Sequence, residues 1–216
     1  IFISLYQNYL LLAIASPSLL AWSTAMNRMH CPSGGKGDAI GTPPPLNILD
    51  GIACFLFIVF LIMEAKADKQ QYNFQNKKRE WKSSLGTDGS GFDSATKSIS
   101  SHSSFKEYTD GFCQSGLFAV VRKPAYAAEQ AIWISYYLFS VAPSYSHEVC
   151  YWNWSSMGFL HLCFLFQASG RLTEQISMTK YPNYYMYQQK VPLYIPRISS
   201  LWYLLVDTGR GDIKKE

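Results

Sequence analysis

Apolar and charged residues are segregated along this chain. Four stretches carry no Asp, Glu, Lys or Arg: residues 1–27, 51–63, 130–147 and 150–170. A helix needs roughly 20 mainly apolar residues to cross a bilayer, and the second stretch reaches that length if it starts at Leu46. Four buried helices of a soluble protein are the alternative, but a chain this short could not cover them. The pattern predicts an all-α fold, a polytopic transmembrane helix bundle with four spans.

The basic residues are distributed unevenly over the predicted loops. Residues 64–123 hold ten Lys and Arg and the part from Arg171 onward holds seven, whereas the opposite loops hold two, Arg28 and Lys36. Because cytosolic loops carry the excess of basic residues, we predict that the long connection and the C-terminus are cytosolic. Topology and attraction to anionic lipid explain the net charge of +4, and no nucleic-acid partner is predicted.

The same patterns divide the chain into four parts. Residues 1–82 hold spans one and two with a helical cytosolic extension, and residues 111–196 hold spans three and four with an interfacial C-terminal motif. Residues 83–110, rich in Ser and Gly, are predicted to be a flexible cytosolic insert, since few large apolar side chains are available for burial. Residues 197–216 form a cytosolic tail. An uncharged helix begins at once at Ile1, so we expect further membrane helices upstream.

Several polar residues near the predicted spans are candidates for function. Glu129 lies one to two turns inside the third span, where a carboxylate is costly unless it is paired or faces a polar cavity; closeness to water at the interface is the alternative. Glu64 and Asp68 share a helix face, and a solvated helix end would explain them equally well. His161, in the middle of the fourth span, suggests a hydrogen bond between helices. No Cys or His pair has zinc-ligand spacing, so no metal site is predicted.

Three motifs follow one another with a distinctive spacing. They are Glu64-x-x-x-Asp68-x-Gln70-x-x-x-Phe74, then Gly116-Leu-Phe with Arg122-x-Pro124-x-Tyr126-x-x-Glu129, and finally Glu174 with Tyr181-Pro-x-Tyr184-x-x-Tyr187 and Ile195-Pro. In their order and spacing over residues 5–196, the chain resembles the DUF1295-like family of uncharacterised membrane proteins related to the C-terminal domain of steroid 5α-reductases. It resembles isoprenylcysteine and phospholipid methyltransferases more distantly.

The resemblance implies a cytosolic cofactor site open to lipid, so that an apolar lipid or sterol enters sideways. The implied cofactor is NADPH, bound by Glu64, Asp68, Arg122, Tyr126, Glu129, Arg171 and Glu174. No Gly-x-Gly-x-x-Gly occurs, so a Rossmann site is not implied. The family pattern has Arg-His-Pro-Asn-Tyr where this chain has Arg122-Lys-Pro-Ala-Tyr126, which removes two polar side chains. In the reductases the catalytic acid and tyrosine lie on helices upstream of the matched part, so no catalytic residue is named.

Three functions remain open at this point. The first is an NADPH-dependent reductase of a lipid or sterol double bond in the endoplasmic reticulum membrane. The second is an S-adenosylmethionine-dependent methyltransferase of a lipid or prenylated cysteine, although those enzymes usually carry Glu-Glu where this chain has Thr173-Glu174. The third is a membrane protein that keeps the fold without catalysis. The sequence favours the reductase.

Overall fold

The computed structural model describes residues 2–30, 46–85, 102–142 and 152–197, and within these ranges all regular structure is helical. The all-α prediction is therefore confirmed. Seven helices are present in the described ranges: α1 (Phe2–His30), α2 (Ile48–Leu85), α3 (His102–Asp110), α4 (Leu117–Val120), α5 (Pro124–Val141), α6 (Ser156–Lys180) and α7 (Tyr184–Lys190). Pro124 opens α5, as expected for a residue whose missing N–H costs nothing in the first turn of a helix.

Two of the described helices, α1 and α2, are long and apolar enough to cross a membrane. Their large apolar side chains are exposed, including Leu12 at 63% and Phe55 at 66%. The core helix of a soluble protein would bury these side chains, whereas a helix that faces lipid would not. Among the described helices, α5 does not meet the same criterion of length and composition. Residues 143–147 of the predicted third span lie outside the described residues.

Helix α2 continues well beyond its apolar part, which ends at Met63. The predicted helical extension is confirmed and runs to Leu85. Ala67 and Phe74 are buried on one face of this extension, so its polar half is amphipathic.

The predicted flexible insert, residues 83–110, is wrong at both of its boundaries. Helix α2 reaches Leu85 and α3 begins at His102, while residues 86–101 lie outside the described residues. The reason is aromatic packing: the ring of Tyr108 stacks on Phe74, with centroids 5.6 Å apart, and on Trp81, at 6.4 Å. These contacts hold α3 against the extension of α2 despite the Ser-rich sequence before it.

The chain forms two compact units, of which the first comprises Ile1–Ile62 and Ala128–Ser169. Small side chains make its helix contacts: Ser16 Oγ donates to the carbonyl of Ser155 at 3.5 Å, and Gly158 lies against the backbone of Ala13. Small residues of this kind let helix backbones approach each other closely. His161 Nε2 lies 2.6 Å from Tyr6 Oη, which confirms the predicted hydrogen bond between helices.

Candidate functional site

The second unit comprises Met63–Ala127 and Gly170–Glu216, and in it α2 holds the turn before α4 through Gln70. The Gln70 Nε2 donates to the carbonyl of Ser115 at 2.6 Å, and its Oε1 accepts from the backbone N–H of Leu117 at 3.2 Å. Gly116 between them has φ of +58°, and a Cβ there would collide with the Gln70 amide. Glycine satisfies both the left-handed backbone and the close approach. The first and second sequence motifs are therefore in direct contact.

A buried ion pair joins the second motif to the third. Arg122 Nε lies 2.9 Å from Glu174 Oε2, and the two side chains are only 9% and 5% exposed. This nitrogen makes no hydrogen bond, so the pair is a close charge contact without an aligned N–H. One Nη donates to the backbone carbonyls of Gln188 at 2.6 Å and Val191 at 2.8 Å. Arg122 thus binds the end of α7 as well as α6.

The Glu174 carboxylate has two further donors from α7. Tyr184 Oη donates to Oε1 at 2.5 Å, and Gln188 Nε2 donates to Oε2 at 3.3 Å. A buried charge is tolerated only when it is paired and hydrogen-bonded, and Glu174 meets both conditions. The burial of Tyr184 and the adjacent Glu174 carboxylate raise the pKa of the Tyr184 phenol.

The turn between α4 and α5 is held by backbone hydrogen bonds to the segment after α7. The N–H of Arg122 donates to Pro192 O at 2.9 Å, and that of Lys123 donates to Leu193 O at 3.2 Å. Lys123 Nζ lies 5.8 Å from the centroid of the Tyr126 ring. Burial lowers the pKa of the Lys123 ammonium, which the nearby Glu174 charge partly offsets. A partly buried cation therefore sits at the head of α5.

Aromatic side chains form the core of this unit. The Phe112 ring packs against Tyr184, Tyr187 and Tyr181, with centroids 5.0, 5.3 and 5.6 Å away. Tyr187 Oη donates to the carbonyl of Phe118 at 2.5 Å. The third motif, predicted to be interfacial, thus includes two tyrosines, Tyr184 and Tyr187, that are buried in a protein core.

The structure brings some of the predicted cofactor residues together and leaves others apart. Arg122 and Glu174 are paired, and Tyr126 lies half-buried in the first turn of α5. Glu64 is half-buried on α2, whereas Asp68 on α2 and Arg171 on α6 are exposed.

Glu129 belongs to the first unit. Its Oε1 accepts from Trp133 Nε1 at 3.5 Å, a contact within α5. The other six predicted residues are in the second unit.

Two residues that make side-chain hydrogen bonds in the second unit were not predicted to have a function. Gln70 holds the turn at Gly116, and Gln188 donates to Glu174. Gln188 follows Tyr184 by four residues, so both lie on one face of α7. The four-residue spacing from Tyr184 could have placed Gln188 in the site. A neutral amide, however, has no charge that would mark it as a candidate.

We expect the folded state to lose stability as the pH rises above about 10. Burial raises the pKa of Tyr194 to about 12, and the pKa of Tyr184 is raised as well. An unfolded tyrosine has a pKa of about 10, so the unfolded chain loses these protons first and becomes favoured as they are lost. The stability contribution is fully present below pH 10. Denaturant titrations between about pH 8 and 11 measure the effect.

Tyr184→Phe tests the contribution of one phenol to this pH dependence. It should flatten the pH dependence and cost about 2 kcal/mol at pH 8, because a hydrogen bond to a charged group is lost. Tyr185→Phe is the control, since Tyr185 is 60% exposed. Identical pH profiles for the Tyr184→Phe variant and the unmodified chain would contradict this role of Tyr184.

Comparison with known proteins places the chain among relatives of unknown activity. Residues 2–191 match the family described as "Protein of unknown function (DUF1295)". The chain belongs to the DUF1295 family. An uncharacterized protein of Schizosaccharomyces pombe is 33% identical over 160 residues, which cover 73% of this chain and 42% of that protein. No solved structure matches significantly. The resemblance to DUF1295 is thus confirmed, while the description of the DUF1295 family assigns no reaction.

Proposed function

We propose that this chain is the cofactor-side part of an integral membrane reductase, which transfers hydride from NADPH to a double bond of an apolar lipid or sterol. The observation that carries the proposal is that parts of all three motifs are in contact in the second unit. Gln70 contacts the turn at Gly116, and Arg122 pairs with Glu174. Helix α2 runs from a candidate membrane span into that unit. A charged cofactor and an apolar substrate require such a combination of fixed polar groups and membrane helices.

The charges of the second unit fit the chemistry of NADPH. Phosphates call for cations, which Lys123 and Arg171 supply, and ribose hydroxyls and the carboxamide call for acceptors, which Glu64 and Asp68 supply. Tyr126 would add a phenol beside Lys123. When bound, NADPH would supply the hydride, while these residues would bind and orient it.

Arg122 and Glu174 are positioning residues in this proposal. Each already meets its partner and α7, so their charges hold the turn that carries Lys123 and Tyr126. Their role differs from the direct cofactor contact that the resemblance implied.

The proposal includes two further spans, α5 and the first half of α6, for a total of four. Met157, Leu160 and Phe164 are exposed on α6, and Trp152 and Trp154 are exposed just before it. Exposed apolar side chains below a pair of exposed tryptophans are typical of a helix that enters lipid from the interface. Residues 64–123 and the C-terminal part would then face the cytosol from the endoplasmic reticulum membrane.

The methyltransferase alternative has less support from the described contacts. Those enzymes usually carry Glu-Glu at this position, and here Thr173 uses its hydroxyl to donate to the carbonyl of Gly170 at 3.0 Å. Of the two positions that carry Glu-Glu in those enzymes, only Glu174 therefore offers a carboxylate here.

Replacing Arg171 with glutamine is expected to weaken NADPH binding about tenfold or more, because one charge-assisted hydrogen bond to phosphate is lost. Arg171 is exposed, so folding should be unaffected. Calorimetric titration of the detergent-solubilised protein measures the affinity. Lys180→Gln is the matched control, because it removes an exposed cation from the same helix. Equal NADPH affinities for the two variants would contradict the assignment of Arg171.

A further inference from the structure

A basic groove opens in the second unit between α2, α3 and the loop before α4. Its volume is about 370 Å³, and it is separate from the Arg122–Glu174 pair. Three lysines line it on the α2 side, Lys66, Lys69 and Lys77, together with Asn73. Intervals of three and four residues place these four side chains along one face of the helix. The lysines are exposed, so their ammonium groups are accessible to a ligand.

The opposite wall of the groove offers one carboxylate and an aromatic surface. Glu107 on α3 accepts from Ser115 Oγ at 3.2 Å, and the stacked rings of Tyr108 and Phe74 lie beside it. Burial raises the pKa of the Glu107 carboxyl. Three cations against one carboxylate leave the groove positive, and the matching ligand is an anion with several acceptor oxygens, such as a phosphate group.

The position of the groove on α2 indicates the source of that phosphate. Lys66 and Lys69 lie three and six residues beyond Met63, the last residue of the apolar stretch. At 1.5 Å per residue they are about 5 and 9 Å along the helix from the end of the apolar part. The headgroup layer is about 5–8 Å thick on each side of a bilayer, so both ammonium groups can reach headgroup phosphates.

We propose that this groove binds the phosphate headgroup of an anionic phospholipid through Lys66 and Lys69. Lys77 lines the same groove 14 residues beyond Met63, about 21 Å along the helix, and adds to its positive potential without touching that phosphate. The site requires α2 to enter the membrane at Met63 but does not depend on the reductase chemistry. Basic residues next to a membrane span attract anionic lipid by electrostatics alone. The groove adds a fixed arrangement with Asn73 as a donor and the ring of Tyr108 beside it, and so distinguishes a specific site from general attraction.

The test uses the purified protein in a neutral detergent, titrated with dioctanoyl phosphatidic acid. The triple variant Lys66→Gln, Lys69→Gln, Lys77→Gln is expected to bind this lipid about a hundredfold more weakly. The matched control removes three exposed lysines outside the groove, Lys82→Gln, Lys180→Gln, Lys190→Gln, and should keep the affinity within about twofold. Dioctanoyl phosphatidylcholine, which is neutral overall, should bind weakly to all three proteins.

A variant with the opposite expected sign sharpens the test. Glu107→Gln removes the carboxylate from the groove while keeping an acceptor for Ser115, so it should tighten phosphatidic acid binding severalfold. This gain cannot arise from misfolding.

Several results would overturn the proposal. The first is an equal loss of phosphatidic acid affinity in the groove variant and its control. The second is an unchanged affinity in the groove variant. The third is a Glu107→Gln variant that binds phosphatidic acid no more tightly than the unmodified chain. Inorganic phosphate that competes at the same concentration as the lipid would indicate a site for the free ion. Displacement of the lipid by NADPH would assign the groove to the cofactor. Failure of NADPH to bind anywhere would instead concern the proposed reductase and leave the lipid site intact.

Discussion

Replacing Glu174 with leucine is expected to lower the free energy of unfolding by about 3–5 kcal/mol, the usual cost of removing one partner of a buried ion pair. The Arg122 guanidinium would keep its charge in a site that is 9% exposed. The hydroxyl of Tyr184 would lose its acceptor at the same time, and an unsatisfied buried polar group adds to the penalty. The effect is large because α6, α7 and the turn before α5 meet at this carboxylate.

Equilibrium unfolding in detergent, followed by circular dichroism, measures this loss. The double variant Arg122→Met, Glu174→Leu should recover part of it, since an apolar pair avoids the unpaired charge. Recovery will be incomplete, because Arg122 also binds the carbonyls of Gln188 and Val191. Glu80→Leu removes an exposed carboxylate from α2 and should change stability little. A loss below about 1 kcal/mol for Glu174→Leu would show that the pair is not buried in solution.

Replacing Gly158 with alanine is expected to destabilise the first unit by about 3 kcal/mol, at the upper end of the cost of overpacking. A Cβ at this position would collide with the backbone carbonyl of Ala13. A flexible side chain could move aside, but a helix backbone cannot. Helices α1 and α6 would therefore have to separate, and the hydrogen bond from Ser16 to Ser155 would be strained with them.

Gly51→Ala provides a control with the opposite expected sign. Gly51 is also helical, and no atom lies within 4 Å of its added Cβ. Alanine there should be neutral or stabilising by up to about 1 kcal/mol, because alanine favours the helix over glycine. Thermal unfolding of the two variants side by side measures the difference. Equal midpoints for Gly158→Ala and Gly51→Ala would mean that α1 and α6 are not in close contact.

Local sequence patterns predicted the helices well where the signal was itself local. The apolar run up to Met63 and the helical extension predicted after it correspond to the continuous helix α2. Helix α3 was missed because its order depends on Tyr108 packing against Phe74, which is 34 residues earlier. A composition rich in serine and glycine says nothing of such a contact.

The sequence indicated which residues lie in the site better than it indicated what each residue does. Arg122, Glu174 and Tyr184 all belong to the motifs that suggested a cofactor site. However, 52 residues separate Arg122 from Glu174, and no local spacing could show that the two charges satisfy each other. The resemblance therefore assigned both to the cofactor, whereas the structure shows that they contact each other.

The most direct test of the proposed function is a thermal-shift measurement on the detergent-solubilised protein with NADPH and, separately, with S-adenosylmethionine. A ligand that binds the native state raises its apparent stability by mass action. The reductase proposal predicts a rise in melting temperature with NADPH that the Arg171→Gln variant reduces, and no rise with S-adenosylmethionine. A rise with S-adenosylmethionine alone would contradict it in favour of a methyltransferase, and no rise with either ligand would contradict it in favour of a membrane protein that keeps the fold without catalysis.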